Sequence, residues 1–429
     1  MTHLARRSLL GLAGAGAGAL LLGACGKDEP STSSGPQTIN WWHVSNTDPM
    51  LGIWANMAKE YQNAHSDVTI KIQPLENEAF KAKLTTATQA GAPPDLFQSW
   101  GGGVLKQQVD AGLVKDITAD VQPWIDTLLP AAVQPYTIDG KIYGIPFDVG
   151  MVGFWYNKEL FGRAGVTAAP TTWAEFLEAV KKIKAAGIVP IALAGKEKWP
   201  GHFYWAYLSM RVGGLAALKQ AAADNNFDTP DFVAAGQHLK DLVDLSPFQK
   251  GFLGAAYTAP DGQSGIMGNG GAAMELMGQW APSTEAAQST SKKGLGDKLG
   301  FFPFPAVDGG KGSVSEAFGG GNGFAVGKNA PKSTTDFLKY IMSADNQRKG
   351  TASGSILPTV KVAADAIADP NNKVVASSLA AATGFQLYLD QAYAPAVGQQ
   401  VNDSVAELIA GTKGPDKIVK DITAVAKSQ

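Results

Sequence analysis

One cysteine occurs in 429 residues, Cys25, so the chain can close no internal disulfide and must be stabilised by apolar burial. Histidine is scarce too. His43, His65, His202 and His238 stand far apart and no His-Glu-x-x-His occurs, which leaves a zinc site unsupported. Neither sign of charge dominates, with 36 Lys and Arg against 38 Asp and Glu, and no block of like charge appears. That balance gives no nucleic-acid footprint. Beyond the N-terminal region no apolar run approaches the roughly 20 residues that span a bilayer. Gly262-Gln263-Ser264-Gly265 misses the spacing of a serine-hydrolase elbow, and Gly319-Gly320-Gly321-Asn322-Gly323 lacks the Gly-Lys-Ser/Thr of a phosphate loop. No cofactor motif is present. No local acid cluster marks a glycosidase, although 38 acids leave a distant pair open.

What is there begins at the N-terminus. Arg6 and Arg7 precede an apolar run, Leu9 to Leu22, and then Gly23-Ala24-Cys25. A charged start, a short apolar core and small residues before a cut site form a secretory signal over residues 1–24. Leu22-Gly23-Ala24-Cys25 resembles the lipobox of bacterial lipoproteins, which implies lipidation of Cys25 as the mature N-terminus. The paired arginines before Ser8-Leu9-Leu10 resemble a twin-arginine export signal, and an ordinary n-region reads almost the same. Residues 25–37 are rich in Ser, Gly and Pro and are expected to form a solvated linker. The mature chain, on the order of 400 residues, is too long for one core and suits two lobes.

Strand-like and helix-like segments then alternate, predicting an α/β architecture. Thr38–Trp42 reads as a strand. Asp48-Pro49 opens a helix carrying Leu51, Trp54, Ala58 and Tyr61 at helical spacing. Val68, Ile70 and Ile72 alternate as a second strand, and Pro94-Asp95-Leu96-Phe97 begins a third. Thr172 and Glu175 predict a capping box, with Gly187 as the stop. Ile188–Leu193 reads as a strand followed by a polar loop through His202.

Several motifs occur in order: Ile39-Asn40-Trp41-Trp42-His43, Gly91-Ala92-Pro93-Pro94-Asp95-Leu96-Phe97, Gly140-Lys141-Ile142-Tyr143-Gly144-Ile145-Pro146, Phe154-Trp155-Tyr156-Asn157-Lys158 and Pro170-Thr171-Thr172-Trp173-Ala174-Glu175-Phe176. The set resembles the sugar-binding proteins of bacterial ABC importers, the family that includes maltose-binding protein. The resemblance implies an α/β, two-lobed periplasmic-binding-protein type II (Venus flytrap) fold with hinge crossings. It places the crossings near Pro146-Phe147-Asp148, Phe318-Gly319-Gly320-Gly321 and Ile356-Leu357-Pro358. The implied N-terminal lobe is 38–147 plus 319–356, and the C-terminal lobe is 148–318 plus 357–429.

A sugar presents apolar C–H faces and a belt of hydroxyls, so its site needs aromatic faces and convergent polar groups in a concavity. All 10 tryptophans lie between Trp41 and Trp280. Trp54, Trp155 and Trp173 sit in helix or strand patterns and are expected in the core. Trp100 follows a strand end and precedes Gly101-Gly102-Gly103, whose glycines would let backbone N–H groups approach a hydroxyl. Trp199 and Trp280, at the ends of regular segments, complete the stacking candidates. The polar candidates are His43, Asn46 and Asp48 after the first strand, Asp148 at a crossing, Lys198 and His202 beside Trp199, and Asp390. Asp48 also reads as a helix cap, His43 as a loop histidine and Asn46 as a turn former. Glu76-Asn77 is a weaker candidate.

The expected function is that of a lipid-anchored extracellular component of an ABC sugar importer. It would capture a small oligosaccharide by lobe closure and deliver it to a permease whose ATPase is a separate subunit. No catalytic residue, metal or nucleic-acid partner is expected, and the chain is expected to be a monomer. Trp-Gly-Gly-Gly and the later Asp-Gln resemble actinobacterial disaccharide binders, implying xylobiose or a related disaccharide, with chito-oligosaccharide, raffinose-type sugars and maltose behind it. A secreted carbohydrate-active enzyme and a binder of a non-sugar solute are the alternatives.

Overall fold

The computed structural model describes residues 35–429, so Cys25, the signal segment and most of the linker lie outside the described residues. The fold rests on three principal sheets. The first has the order Val68–Pro74, Gln37–His43, Leu96–Ser99, Gly323–Val326, Gly144–Pro146. Its first three strands are parallel, because the helices Met50–Ala64 and Asn77–Gln89 supply the crossovers that parallel pairing requires. Gly323–Val326 enters antiparallel between Leu96–Ser99 and Gly144–Pro146.

Strand alternation divides the packing of this sheet. Trp41 and Leu96 belong to one apolar cluster with Trp54, Phe147 and Phe324, while their neighbours Trp42 and Phe97 join another with Phe80 and Tyr136. Both faces are therefore covered, as a largely parallel sheet demands.

The other two sheets share one large core. Leu299–Phe302, Gly153–Asn157 and Met274–Met277 form an antiparallel sheet. Gly384–Leu387, Glu316–Gly320 and Gly150–Met151 form the third. Around them pack the long helices Trp173–Ala185, Trp199–Asp224, Pro230–Asp244, Pro395–Ile409 and Pro415–Ala426. The Thr172–Glu175 capping box is formed. Buried Arg211 has no carboxylate partner among the described residues. It donates instead to the carbonyls of Phe304, Pro305, Ser313 and Glu316.

The chain passes between the two sets of sheets at three places. One lies between Gly144–Pro146 and Gly150–Met151, and a second between Glu316–Gly320 and Gly323–Val326. At the third, Ile356 packs in the first-sheet core and Leu357 in the other. Ile188–Leu193 differs from its sequence reading. It forms only isolated bridges from Ile191 to Phe248 and Met274, not a strand.

Candidate binding cleft

A cavity of about 1260 Å³, including its open mouth, lies where the two sets of sheets face each other. Clefts that hold small molecules commonly run to roughly 1,000 Å³. The first-sheet side contributes Asn46, Asp48, Glu76, Asn77, Lys81 and Trp100, and the opposite side Glu197, Trp199, Tyr257, Trp280, Tyr388 and Asp390. Phe147, Asp148 and Asn322, on the crossing segments, also line it. Trp100 stands directly after the carboxyl end of Leu96–Ser99, where ligands of open α/β sheets bind.

Each tryptophan is held by an aromatic partner. Phe80 meets Trp100 edge-on at 5.9 Å, and the Lys81 ammonium lies 5.9 Å from its centroid. Tyr257 meets Trp199 edge-on at 5.3 Å, and Tyr388 meets Trp280 at 6.3 Å. The Trp280 ring folds back over Gly278, where an added Cβ would come within 2.2 Å of it. Trp100 and Trp280 are half-buried, whereas Trp199 is only 9% exposed.

The polar lining is incompletely paired. Trp199 Nε1, Tyr388 OH, Gln98 Oε1 and Asn77 Oδ1 are buried and have no hydrogen-bond partner among the described residues. Such groups are costly unless something satisfies them, and a ligand rich in hydroxyls can. Lys81 reaches across to Asp390 at 3.3 Å while also bonding Glu78 at 3.1 Å. Burial pushes the Asp390 carboxyl up, but the Lys81 charge outweighs it and holds the group below the ordinary range.

Asp148 is the polar node of the crossings. It accepts from the Asn322 backbone N–H at 2.6 Å, from Asn322 Nδ2 at 3.0 Å and from Gln279 Nε2 at 3.1 Å. Asp148 also forms a backbone bridge with Pro358. Burial drives its carboxyl up to about 7 against these donors.

The cavity thus brings together Asn46, Asp48, Trp100, Asp148, Trp199, Trp280 and Asp390, and leaves four other expected residues out. His43 is fully buried, because residues 39, 41 and 43 point to the same core face of their strand. It packs edge-on against Trp41 at 5.0 Å, and burial lowers its pKa to about 4. His202 is fully buried as well, within a helix that already starts at Trp199 where a polar loop was expected. Burial also lowers its pKa to about 4. Lys198 turns to Asp403, at 2.6 Å. Gly101 is packed on Pro135, whose carbonyl oxygen an added Cβ would approach to 2.6 Å. Its neighbours Gly102 and Gly103 press on Gln391, Ala392 and Tyr393 of the opposite side. These glycines serve protein packing rather than hydroxyl recognition.

Lys81, Gln98, Tyr257, Tyr388 and Asn322 line the cleft without having been singled out from sequence. Two of them carried a signal. Lys81 lies one helical turn after Asn77, and Gln98 lies two residues before Trp100 on the same approach.

Residues 45–348 match the model of the bacterial extracellular solute-binding protein family. The chain belongs to this family. Among relatives of this solute-binding protein, the multiple sugar-binding protein of Streptococcus mutans is 25% identical over 349 residues, covering 80% of this chain and 79% of that one. The diacetylchitobiose binding protein DasA of Streptomyces coelicolor is 26% identical, covering 88% of each chain. A solved chitin oligosaccharide binding protein superposes with TM-score 0.83 at 27% identity, covering 91% of this chain and 98% of that one. A structure from work on xylan utilization by Caldanaerobius polysaccharolyticus gives TM-score 0.82 at 28% identity, covering 90% and 99%. The fold of the solute-binding protein is the two-lobed α/β fold of these neighbours, which are binding proteins, and the family is extracellular.

Asp148→Ala would strand the donors of Asn322 and Gln279 in a buried site. The solute-binding protein is expected to lose about 3 kcal/mol of stability. Thermal unfolding monitored by circular dichroism checks this, and an unchanged midpoint would remove Asp148 from the hinge.

Proposed function

We propose that this solute-binding protein captures a small oligosaccharide between its lobes and presents the closed complex to an ABC permease. The observation that carries the reading is the single cavity in which Trp100, Trp199 and Trp280 converge from both sides with unpartnered Tyr388 and Gln98. Aromatic faces suit the C–H faces of a pyranose, and the orphaned donors and acceptors suit its hydroxyls. The binding residues in this reading are Asn46, Asp48, Trp100, Asp148, Trp199, Trp280 and Asp390, joined by Lys81 and Tyr388. A β-linked disaccharide such as xylobiose is the lead ligand, with chito-oligosaccharide next, in keeping with the relatives named above. Lipidation at Cys25, export through the signal over residues 1–24, by the twin-arginine or the ordinary secretory route, and a monomeric state belong to this proposal. So does a division into the expected lobes 38–147 plus 319–356 and 148–318 plus 357–429, with the second boundary moved past Gly320 because Glu316–Gly320 pairs within the second set of sheets.

Isothermal titration of the mature domain against a disaccharide panel tests the reading. Stoichiometric binding without monosaccharide release supports it. Release of monosaccharide would assign the chain to a hydrolase, and absence of any binding would remove the sugar.

Closure itself has a separate test. A Cβ on Gly103 would come within 2.6 Å of the Tyr393 carbonyl, outside the cavity and across the interface. Gly103→Ala is therefore expected to penalise the closed state, cutting sugar affinity about tenfold or more. The midpoint of the ligand-free protein should hardly move, because opening relieves the clash. Unchanged affinity by titration would show that this contact is not part of closure.

A further inference from the structure

The cavity lining carries five carboxyl groups, Asp48, Glu76, Asp148, Glu197 and Asp390, and one cation, Lys81. The cation is already committed to Asp390 and Glu78. Both oxygens of Asp148 already accept from Asn322 or Gln279. Three carboxylates remain, and each is fixed through one oxygen. Asp48 Oδ1 accepts from the Gly52 N–H at 3.0 Å. Glu76 Oε2 accepts from the N–H groups of Glu78 and Ala79 at 3.0 and 3.2 Å, as the cap of its helix. Glu197 Oε2 accepts from the Tyr257 N–H at 3.1 Å. The second oxygen of each has no side-chain or backbone donor from another described residue.

Glu76 and Glu197 come from opposite sides of the cleft. Burial raises the Glu197 carboxyl, and the Glu76 charge adds to the rise, as expected for two carboxylates facing one cavity from opposite walls. Bringing like charges together opposes closure, and a cation placed between them reverses the sign of that interaction. Glu197 shares its wall of the cavity with Trp199: Tyr257, whose N–H Glu197 accepts, packs on the Trp199 ring at 5.3 Å, and Trp199 Nε1, on a side chain only 9% exposed, has no hydrogen-bond partner among the described residues. An unpaired donor on that wall is costly unless something satisfies it, which marks the carboxylate's surroundings as a recognition surface.

We infer that Glu76 and Glu197 select saccharides by charge, taking those that bear a protonated amine ahead of their neutral parents and rejecting those that bear a carboxylate. This rests on the sugar-binding reading above and deepens it. A neutral sugar offers hydroxyl donors to the free oxygens. An ammonium offers three donors and a compensating charge, whereas a uronate adds a third negative charge to a confined site.

The test is calorimetric titration with the β-1,4 disaccharide of glucosamine, with cellobiose and with cellobiouronic acid, near pH 6 where the amine is protonated. The glucosamine disaccharide is expected to bind about tenfold tighter than cellobiose, and cellobiouronic acid about tenfold weaker. In Glu76→Gln/Glu197→Gln the ratio of amine to neutral affinity should fall towards one, a change that loss of packing alone would not produce. Equal or weaker binding of the amine, equal or tighter binding of the uronate, or an unchanged ratio in the double variant overturns the inference. Binding of a neutral disaccharide from the panel with none by the glucosamine disaccharide overturns it too, while leaving the sugar-binding reading intact. If no saccharide binds at all, that reading fails and this one with it.

Discussion

Trp280→Ala is expected to cut oligosaccharide affinity by about 100-fold, a loss of roughly 2–3 kcal/mol, the range of an aromatic anchor at the centre of an interface. The ring is half-buried at the N-terminal end of the Ala281–Gln288 helix, folded over Gly278 and braced by Tyr388. Part of its face is therefore available to the cavity, and removing it takes away stacking area without opening a hole in the core. The melting midpoint of the empty protein should change by only about 2 °C or less. Trp199→Ala is the instructive contrast. That side chain is 9% exposed and packs on Phe203 and Tyr257, so its truncation costs about 3–5 kcal/mol of stability in addition to affinity. Titration and thermal melts of both variants separate the two roles. A large fall in midpoint for Trp280→Ala with intact sugar binding would return that tryptophan to the core.

The second large effect concerns pH. Glu275, on the strand Met274–Met277, and Glu285, on the helix that follows, are both fully buried. Gln263 Nε2 donates to Glu275 at 2.9 Å, and the opposite end of that amide accepts from the Ala194 N–H at 2.6 Å. Burial pushes Glu275 up to about 7, and burial together with the neighbouring Glu275 charge pushes Glu285 well above its ordinary range. The folded protein therefore retains protons that the unfolded chain releases above its ordinary carboxyl pKa of about 4.3. A raised carboxyl contributes stability that is full below the unfolded pKa and is lost as pH rises through the folded one. Asp148 acts in the same direction. Buried His43 and His202, lowered to about 4, act oppositely, costing stability as pH falls below about 6.5.

The opposing histidine contribution fades from about pH 6.5, where the unfolded imidazoles are half-protonated, to about pH 7.5, where they are largely neutral, and the carboxyls then dominate. The midpoint should accordingly fall by several degrees between about pH 6.5 and 8.5. Glu285→Gln, which removes the charge and keeps the shape, should raise the midpoint at the alkaline end and flatten the slope. Calorimetric scans across that range decide the matter, and a midpoint that climbs with pH in the parent protein would contradict the raised buried carboxyls.

The sequence was most informative where one local pattern sets burial. Trp54, Trp155 and Trp173 lie in regular elements, and all three are buried in the cores expected for them. The capping box at Thr172 and Glu175 involves only near neighbours, and it formed. His43 was misjudged although its period was legible, since Ile39 and Trp41 on the same strand already pointed inward. For His202 the error began with the helix boundary, because Lys198 at φ +66° turns the chain directly into a helix at Trp199. Tyr257, Asn322 and Tyr388 had no local signature. They reach the cleft through contacts between segments more than a hundred residues away from Trp100, and no spacing rule reports such contacts. The glycine run after Trp100 was conspicuous for a different reason from the one assigned to it: close approach of protein backbone, not of a ligand.

The Asp148 side chain holds Asn322 on one strand passage and its backbone bridges Pro358 on another, so that all three passages of the pivot meet at one residue. Any swing of the two halves has its axis close to that point, so displacement grows with distance from it, as along a lever. Residues far from it would travel furthest, while Asn322 and Gln279, bonded to Asp148, would scarcely shift. Evolutionary or engineered change far from the pivot can thus retune which solute is accepted while leaving the pivot's own bonding undisturbed.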